Sequence, residues 1–178
     1  MGDIDNNGFF EKAGMCCQSL TYGPFMPFSL SDFKLAIPSI KTKYAEAFMD
    51  MAIRFGQTST AERLKVGAIL IKNDAAIAIG CNGCPPKWHN ELCEGINEDG
   101  STYTLPHVRH AEKACLDKLR QSTETSTGAS MFVSHAPCSM CAIDIVSAGI
   151  KEVYYRDDYR SDEGIQYLKR SGVNVFQI

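Results

Sequence analysis

Tyr44, Phe48, Met51, Ala52 and Phe55 recur at helical spacing and Gly56 follows as a stop, which predicts a helix over 43 to 55. The period then changes. Two short apolar runs, 66 to 72 and 75 to 80, flank Asn73-Asp74 and read as a hairpin of two strands. Further apolar runs at 131 to 134, 152 to 155 and 173 to 176 predict three more strands. Helical patterns fall between them at 111 to 121, 138 to 148 and 161 to 170. In the first, Ala111, Ala114, Cys115 and Leu119 make the apolar face, while Lys113, Asp117, Lys118 and Arg120 face water. Gly149 stops the second. Strands alternating with helices predict a layered α/β domain with a mixed five-stranded sheet and a ligand site at strand ends.

Two stretches stand outside this alternation. Residues 1 to 40 mix Gly8, Gly14, Gly23, Pro24, Pro27 and Pro38 with Phe9, Phe10, Phe25, Phe28 and Phe33 and show no clean period. So many aromatics are unlike a solvated tail, so this segment is expected to be an extension that packs on the body or on a neighbouring subunit, leaving 41 to 178 as the catalytic domain. The stretch 81 to 107 is long for a connection, and long loops in compact domains are functional or held by something. Cys81, Cys84, His89, Cys93 and His107 supply enough donors for a second, closed metal site there, although their order fits no standard zinc module. Trp88 lies in the same stretch.

Composition narrows the partner. A chain of 178 residues suits one domain with a sizeable core. Its net charge of −3 argues against a nucleic-acid polymer, because phosphate-tracking surfaces are strongly basic. A small nucleotide needs only a few local cations, for which Lys65 and Arg160 stand foremost, with Lys87 and Arg109 behind them. No apolar stretch approaches the roughly 20 residues that span a bilayer. Eight cysteines without a signal-peptide pattern point to a reducing compartment, so a cytoplasmic location is expected.

The chemistry concentrates in two short segments. His110-Ala111-Glu112 is followed by Pro137-Cys138-Ser139-Met140-Cys141. One imidazole and two thiolates are donors that Zn²⁺ prefers, and three protein ligands leave a fourth tetrahedral position for water. Cys138 and Cys141, three apart at a helix start, reach one ion, and the helix N-terminus favours their negative charge. His110 and Glu112 are two apart and share no face in mid-helix, so they must lie at the first turn of theirs. Two helix N-termini are therefore expected to converge on one metal, with Glu112 left unligated. Cys115 reads as a small core residue and not as a fourth ligand. Structural zinc is normally closed by four ligands, which disfavours that alternative, and a redox Cys-x-x-Cys pair fits less well still.

These segments resemble the His-x-Glu and Pro-Cys-x-x-Cys signature of the zinc-dependent cytidine/deoxycytidylate deaminase superfamily. Within it, Gly80-Cys81-Asn82-Gly83 and Ser134-His135-Ala136-Pro137-Cys138 look like deoxycytidylate deaminases, those of phages included, and the resemblance runs from about residue 43 to 178. Many relatives carry asparagine where this chain has Ala114, and phage relatives carry arginine where it has Gln121.

The resemblance implies a three-layer αβα cytidine-deaminase-like fold and hydrolytic deamination of dCMP to dUMP and ammonia, feeding dTMP synthesis. His110, Cys138 and Cys141 would bind zinc, which lowers the pKa of its water to about 7, and Glu112 would carry protons. Asn82 would hold the sugar hydroxyl, the backbone at Ala111 would orient the base, and Tyr159 would close over the nucleotide. A homo-oligomer, often a hexamer, is implied as well, with dCTP and dTTP as effectors, Mg²⁺ accompanying the triphosphate and, in some phage relatives, an extra structural zinc. The alternatives are a deaminase acting also or instead on dCTP or another cytosine nucleoside or nucleotide, and a non-catalytic zinc module, which the unligated Glu112 disfavours.

Overall fold

The computed structural model describes residues 37–88 and 91–178. The elements run α1 Thr42–Gly56, β1 Gly67–Lys72, β2 Ala75–Cys81, β3 Glu94–Ile96, β4 Thr102–Thr104, α2 Ala111–Leu119, β5 Ser130–His135, α3 Ser139–Ser147, β6 Glu152–Asp157, α4 Glu163–Arg170 and β7 Asn174–Gln177. Five strands form one sheet in the order β2-β1-β5-β6-β7. Strand β1 pairs antiparallel with β2 and β5, whereas β5, β6 and β7 are parallel. The sheet is mixed for a simple reason. Asn73 and Asp74 both adopt positive φ, which gives β1 and β2 a tight hairpin, while the later strands are joined through α3 and α4 and so must run parallel.

Central strands are apolar on both faces because helices cover both. Ala68 and Leu70 of β1 point into a core with Met131, Val133 and Val153, roofed by Cys115 and Leu116 of α2, Ile145 of α3 and Leu168 of α4. Their neighbours Ile69 and Ile71 point the other way, onto Met49 and Ala52 of α1 with Phe132 and Tyr154. The result is the three-layer αβα arrangement, and its sequence correlate is a continuous apolar run where a half-exposed strand would alternate. Beneath α1, Phe132, Tyr154 and Phe176 face one another in register across β5, β6 and β7, with ring centroids 4.4 Å and 4.9 Å apart.

Gly80 brings α2 unusually close to the sheet. A Cβ there would stand 2.5 Å from the Cys115 nitrogen, so only glycine lets the helix that begins after His110 lie on β2. Gly149, at φ +69°, ends α3 as its position in the sequence predicts. Helices α2 and α4 are shorter than the expected 111 to 121 and 161 to 170, with Arg120 as C-cap of the first and Asp162 as N-cap of the second. The two-stranded β3/β4 hairpin was not expected. It occupies part of the 81 to 107 stretch.

Most of the expected extension, with its phenylalanines, lies outside the described residues, but its last residues are seen. Ile40 is buried, and Ser39 donates through both its backbone N–H and its hydroxyl to Glu152. Glu152 is 1 % exposed and accepts two further hydrogen bonds, from Ser130 at 3.1 Å and Tyr154 at 3.0 Å. Four donors compensate a carboxylate that burial alone would penalise heavily. They also fix where the chain enters α1. Glu152→Ala leaves those donors without an acceptor and is expected to destabilise the protein by about 3 kcal/mol, read from the denaturant midpoint at unchanged m-value. A loss below roughly 1 kcal/mol would contradict the anchoring role.

Candidate active site

The same local rule delivers both halves of the site. His110 is the N-cap of α2 and Cys138 the N-cap of α3, each in extended backbone, and neither side chain makes a cap hydrogen bond. N-cap side chains ordinarily turn back to satisfy the first N–H groups of the helix. Here they turn toward each other. His110 Nδ1 lies 3.6 Å from Cys138 Sγ and 3.3 Å from Cys141 Sγ, and all three donor atoms fall within 4.8 Å of one another. Around a tetrahedral zinc, with typical Zn–S and Zn–N bonds, nitrogen and sulfur ligands sit about 3.6 Å apart. The donor set and its spacing therefore fit zinc, and among the described residues no other group of His, Cys, Asp or Glu meets the same test.

Electrostatics support the fit. The Cys138 thiol is held well below its ordinary range by its hydrogen bond with Cys141 and then by His110, while Cys141 is pushed up as the partner that keeps the shared proton. The contact between the two sulfurs thus favours thiolate at Cys138, the form that binds a metal. Glu112, in the first turn of α2, is 4 % exposed, and burial raises its pKa, opposed by His110. A carboxyl that readily takes up and releases a proton is what a general acid/base requires. Cys115 lies in the core with its thiol pushed up to about 12 by burial, as expected of a residue that is not a ligand.

An open cavity lies over these groups. Asn82, Ala111 and Tyr159 line it, as anticipated from the sequence. Asn82 also holds the wall together: its Oδ1 accepts from Val66 N–H at 2.9 Å and its Nδ2 donates to the Leu64 carbonyl at 2.7 Å. That leaves one amide hydrogen and one lone pair for a ligand. His135 lines the cavity too, with Nδ1 3.1 Å from Ser134 Oγ and Nε2 3.7 Å from the Asp157 carboxylate.

Residues 42–157 match the family described as cytidine and deoxycytidylate deaminase zinc-binding region. The chain belongs to this family. It is 43% identical to the dCMP deaminase of cyanophage S-TIM5 crystallised with dCMP and dUMP, at a TM-score of 0.72, covering 78% of this chain and 99% of that one. It is 35% identical to human deoxycytidylate deaminase over 126 residues, 68% of this chain and 70% of the human protein. It is 29% identical over 150 residues to the Saccharomyces cerevisiae deoxycytidylate deaminase, where 81% of this chain spans about half, 47%, of the yeast protein.

Other expected site residues of this family member fall elsewhere. Lys65 and Arg160 are exposed and do not line the cavity, whereas Arg63, Glu94 and Thr104, which the sequence did not single out, do. In the 81 to 107 stretch, Cys84 and Cys93 converge to 3.6 Å. Cys81 instead approaches Thr58 Oγ1 at 3.8 Å, and His107 Nε2 lies 3.0 Å from the Leu92 carbonyl. His89 lies outside the described residues. Trp88 packs against His107 with the rings tilted and their centroids 5.2 Å apart, and stays half exposed, away from the cavity lining.

Cys138→Ser is expected to lose its metal on dialysis, as seen by elemental analysis of the purified protein, while Cys115→Ser retains it. Equal zinc in the two variants would contradict the ligand assignment.

Proposed function

We propose that this chain is a zinc-dependent deoxycytidylate deaminase that hydrolyses dCMP to dUMP and ammonia, supplying the substrate of dTMP synthesis. The observation that carries the reading is the convergence of His110, Cys138 and Cys141 beside a buried, unligated Glu112 at one cavity. Its closeness to the cyanophage enzyme crystallised with dCMP and dUMP supports the substrate class.

His110, Cys138 and Cys141 hold the zinc, which when bound supplies a Lewis acid that makes water acidic enough to ionise near neutral pH. Glu112 takes a proton from the attacking water and returns it to N3 of cytosine, then takes the remaining proton from the new C4 hydroxyl and passes it to the departing amine. Water has then added across C4, ammonia has left, and a uracil ring remains. Burial of Glu112 favours its protonated form between these steps. Tyr159, Asn82 and the backbone at Ala111 position the nucleotide from the cavity wall.

Residues 41 to 178 form the catalytic domain in this reading and 1 to 40 an extension. A second, structural zinc in the 81 to 107 stretch rests on the family resemblance; Cys84 and Cys93 approach each other there, and among the described residues no third donor joins them. A homo-oligomeric, hexameric enzyme with dCTP and dTTP as effectors, Mg²⁺ accompanying the triphosphate, rests on the family resemblance. A cytoplasmic location is supported by the reduced thiols that the metal site requires. No helix among the described residues is long and apolar enough to cross a membrane.

Zinc-loaded protein is expected to release ammonia from dCMP, and Glu112→Ala to lower that rate by about 10³-fold or more with zinc content unchanged. Turnover retained by a zinc-loaded Glu112→Ala protein would sink the role of Glu112, and no turnover of any cytosine nucleotide by the parent would sink the reading.

A further inference from the structure

His135 brings to the cavity a ring proton whose position its neighbours fix and the zinc chemistry does not use. It ends β5 on the face that carries Met131 and Val133, and it stands in register with Asp157 at the end of β6. The Ser134 hydroxyl accepts the Gly67 N–H at 3.2 Å and has His135 Nδ1, at 3.1 Å, as the partner for its own proton. Nδ1 is thereby the acceptor of the neutral ring and Nε2 holds the hydrogen, and in the charged ring Nε2 holds one as well. The Asp157 carboxylate stands 3.7 Å from Nε2, beyond hydrogen-bond length. Among the described residues, then, no side chain accepts this N–H, and His135 lines the cavity.

The reaction restricts which substrate atom meets that donor. N3 and C5 are the two ring neighbours of C4 and lie on opposite sides of it. Glu112 serves N3 from the first turn of α2, the helix that lies on β2. C5 then faces the other way, toward the ends of β5 and β6, which lie beyond β1 in the sheet. His135, Ala136, Cys138 and Tyr159 form the lining on that side. Ala136 offers only a methyl group, Cys138 is a metal ligand, and Tyr159 closes over the nucleotide, so His135 is the polar side chain left to meet what C5 carries. A nitrogen that already holds a proton is no general base, and the nearby Asp157 carboxylate disfavours an anion there.

We propose that His135 sets specificity at the 5-position of the cytosine ring, its Nε2–H donating to a polar substituent there, so that 5-hydroxymethyl-dCMP is preferred over 5-methyl-dCMP. This rests on the deaminase reading above and adds the residue that discriminates among modified cytosines. A hydroxymethyl oxygen accepts the hydrogen bond, whereas a methyl group at the same carbon covers the donor and leaves it without a partner. Ser134 is then a positioning residue, acting through the proton it gives to His135 Nδ1.

The test measures kcat/KM for dCMP, 5-hydroxymethyl-dCMP and 5-methyl-dCMP in zinc-loaded parent, His135→Leu and Ser134→Ala enzymes. Its readout is the ratio between the two substituted substrates, which a common loss of activity or of folded protein does not move. The parent is expected to favour the hydroxymethyl substrate about 10-fold, and His135→Leu to lower that ratio by about the same factor. Ser134→Ala, which lets the ring hold its proton on Nδ1, should fall between and decides the matter if the leucine variant does not fold. A parent ratio near one, or a ratio that survives these substitutions, overturns the proposal. A parent that deaminates dCMP and neither substituted substrate overturns it while leaving the deaminase standing. A parent that turns over no cytosine nucleotide removes the deaminase reading, and the assignment falls with it.

Discussion

His110 and Cys138 each stand one residue before a helix, and each directs its side chain to the shared site in place of capping its own helix. Forgoing an N-cap hydrogen bond costs about 1 kcal/mol per helix, so two such starts side by side need compensation. A cation held between them supplies it, because an ion's ligands draw together side chains that would otherwise turn back on their helices. The positive ends of both helix dipoles also favour thiolate at Cys138 and Cys141. Much of the fold can be understood as the framework that keeps these two helix starts at one place.

That framework is the order of the strands. Parallel β5 and β6 are joined through α3, so α3 must begin near the end of β5, with only Ala136, Pro137 and its N-cap Cys138 between His135 and its first residue. Helix α2 lies on β1 and β2, and Gly80 lets it lie close. Since β1 separates β2 from β5 in the sheet, the two helices come down on the same face with their starts at the same edge. The opposite face is anchored independently by the Phe132, Tyr154 and Phe176 stack and by Glu152. Neither anchor touches the cavity lining. Stability and chemistry are thus carried largely by different faces of one sheet, which leaves the cavity wall free to vary with substrate.

What the sequence revealed, and what it hid, follows from the range of each interaction. The helices and the five strands were legible because their periods are local, and the ligands because Cys-x-x-Cys and His-x-Glu are local too. The two-apart spacing of His110 and Glu112 even specified a helix start, which the N-cap position of His110 matches. Strands β3 and β4 escaped because each has three residues, none of them buried, with no apolar alternation to read. Their remaining signal was a turn, in which Asp99 accepts from Ser101 and Gly100 takes positive φ.

The cavity cations were misplaced for the same reason. Nearness in sequence to a motif favoured Lys65 and Arg160, but which cation faces the cavity is decided by partners far along the chain. Arg63 is held by Thr102 and Thr104, 39 and 41 residues away, on the very hairpin that local pattern did not reveal. The motif residues of the site are therefore encoded in short segments, and the wall that Arg63 contributes in a long-range contact between a loop and a weak hairpin. Short motifs can persist while such a contact is remodelled, so members of a family that share their zinc ligands can differ in the molecules they accept.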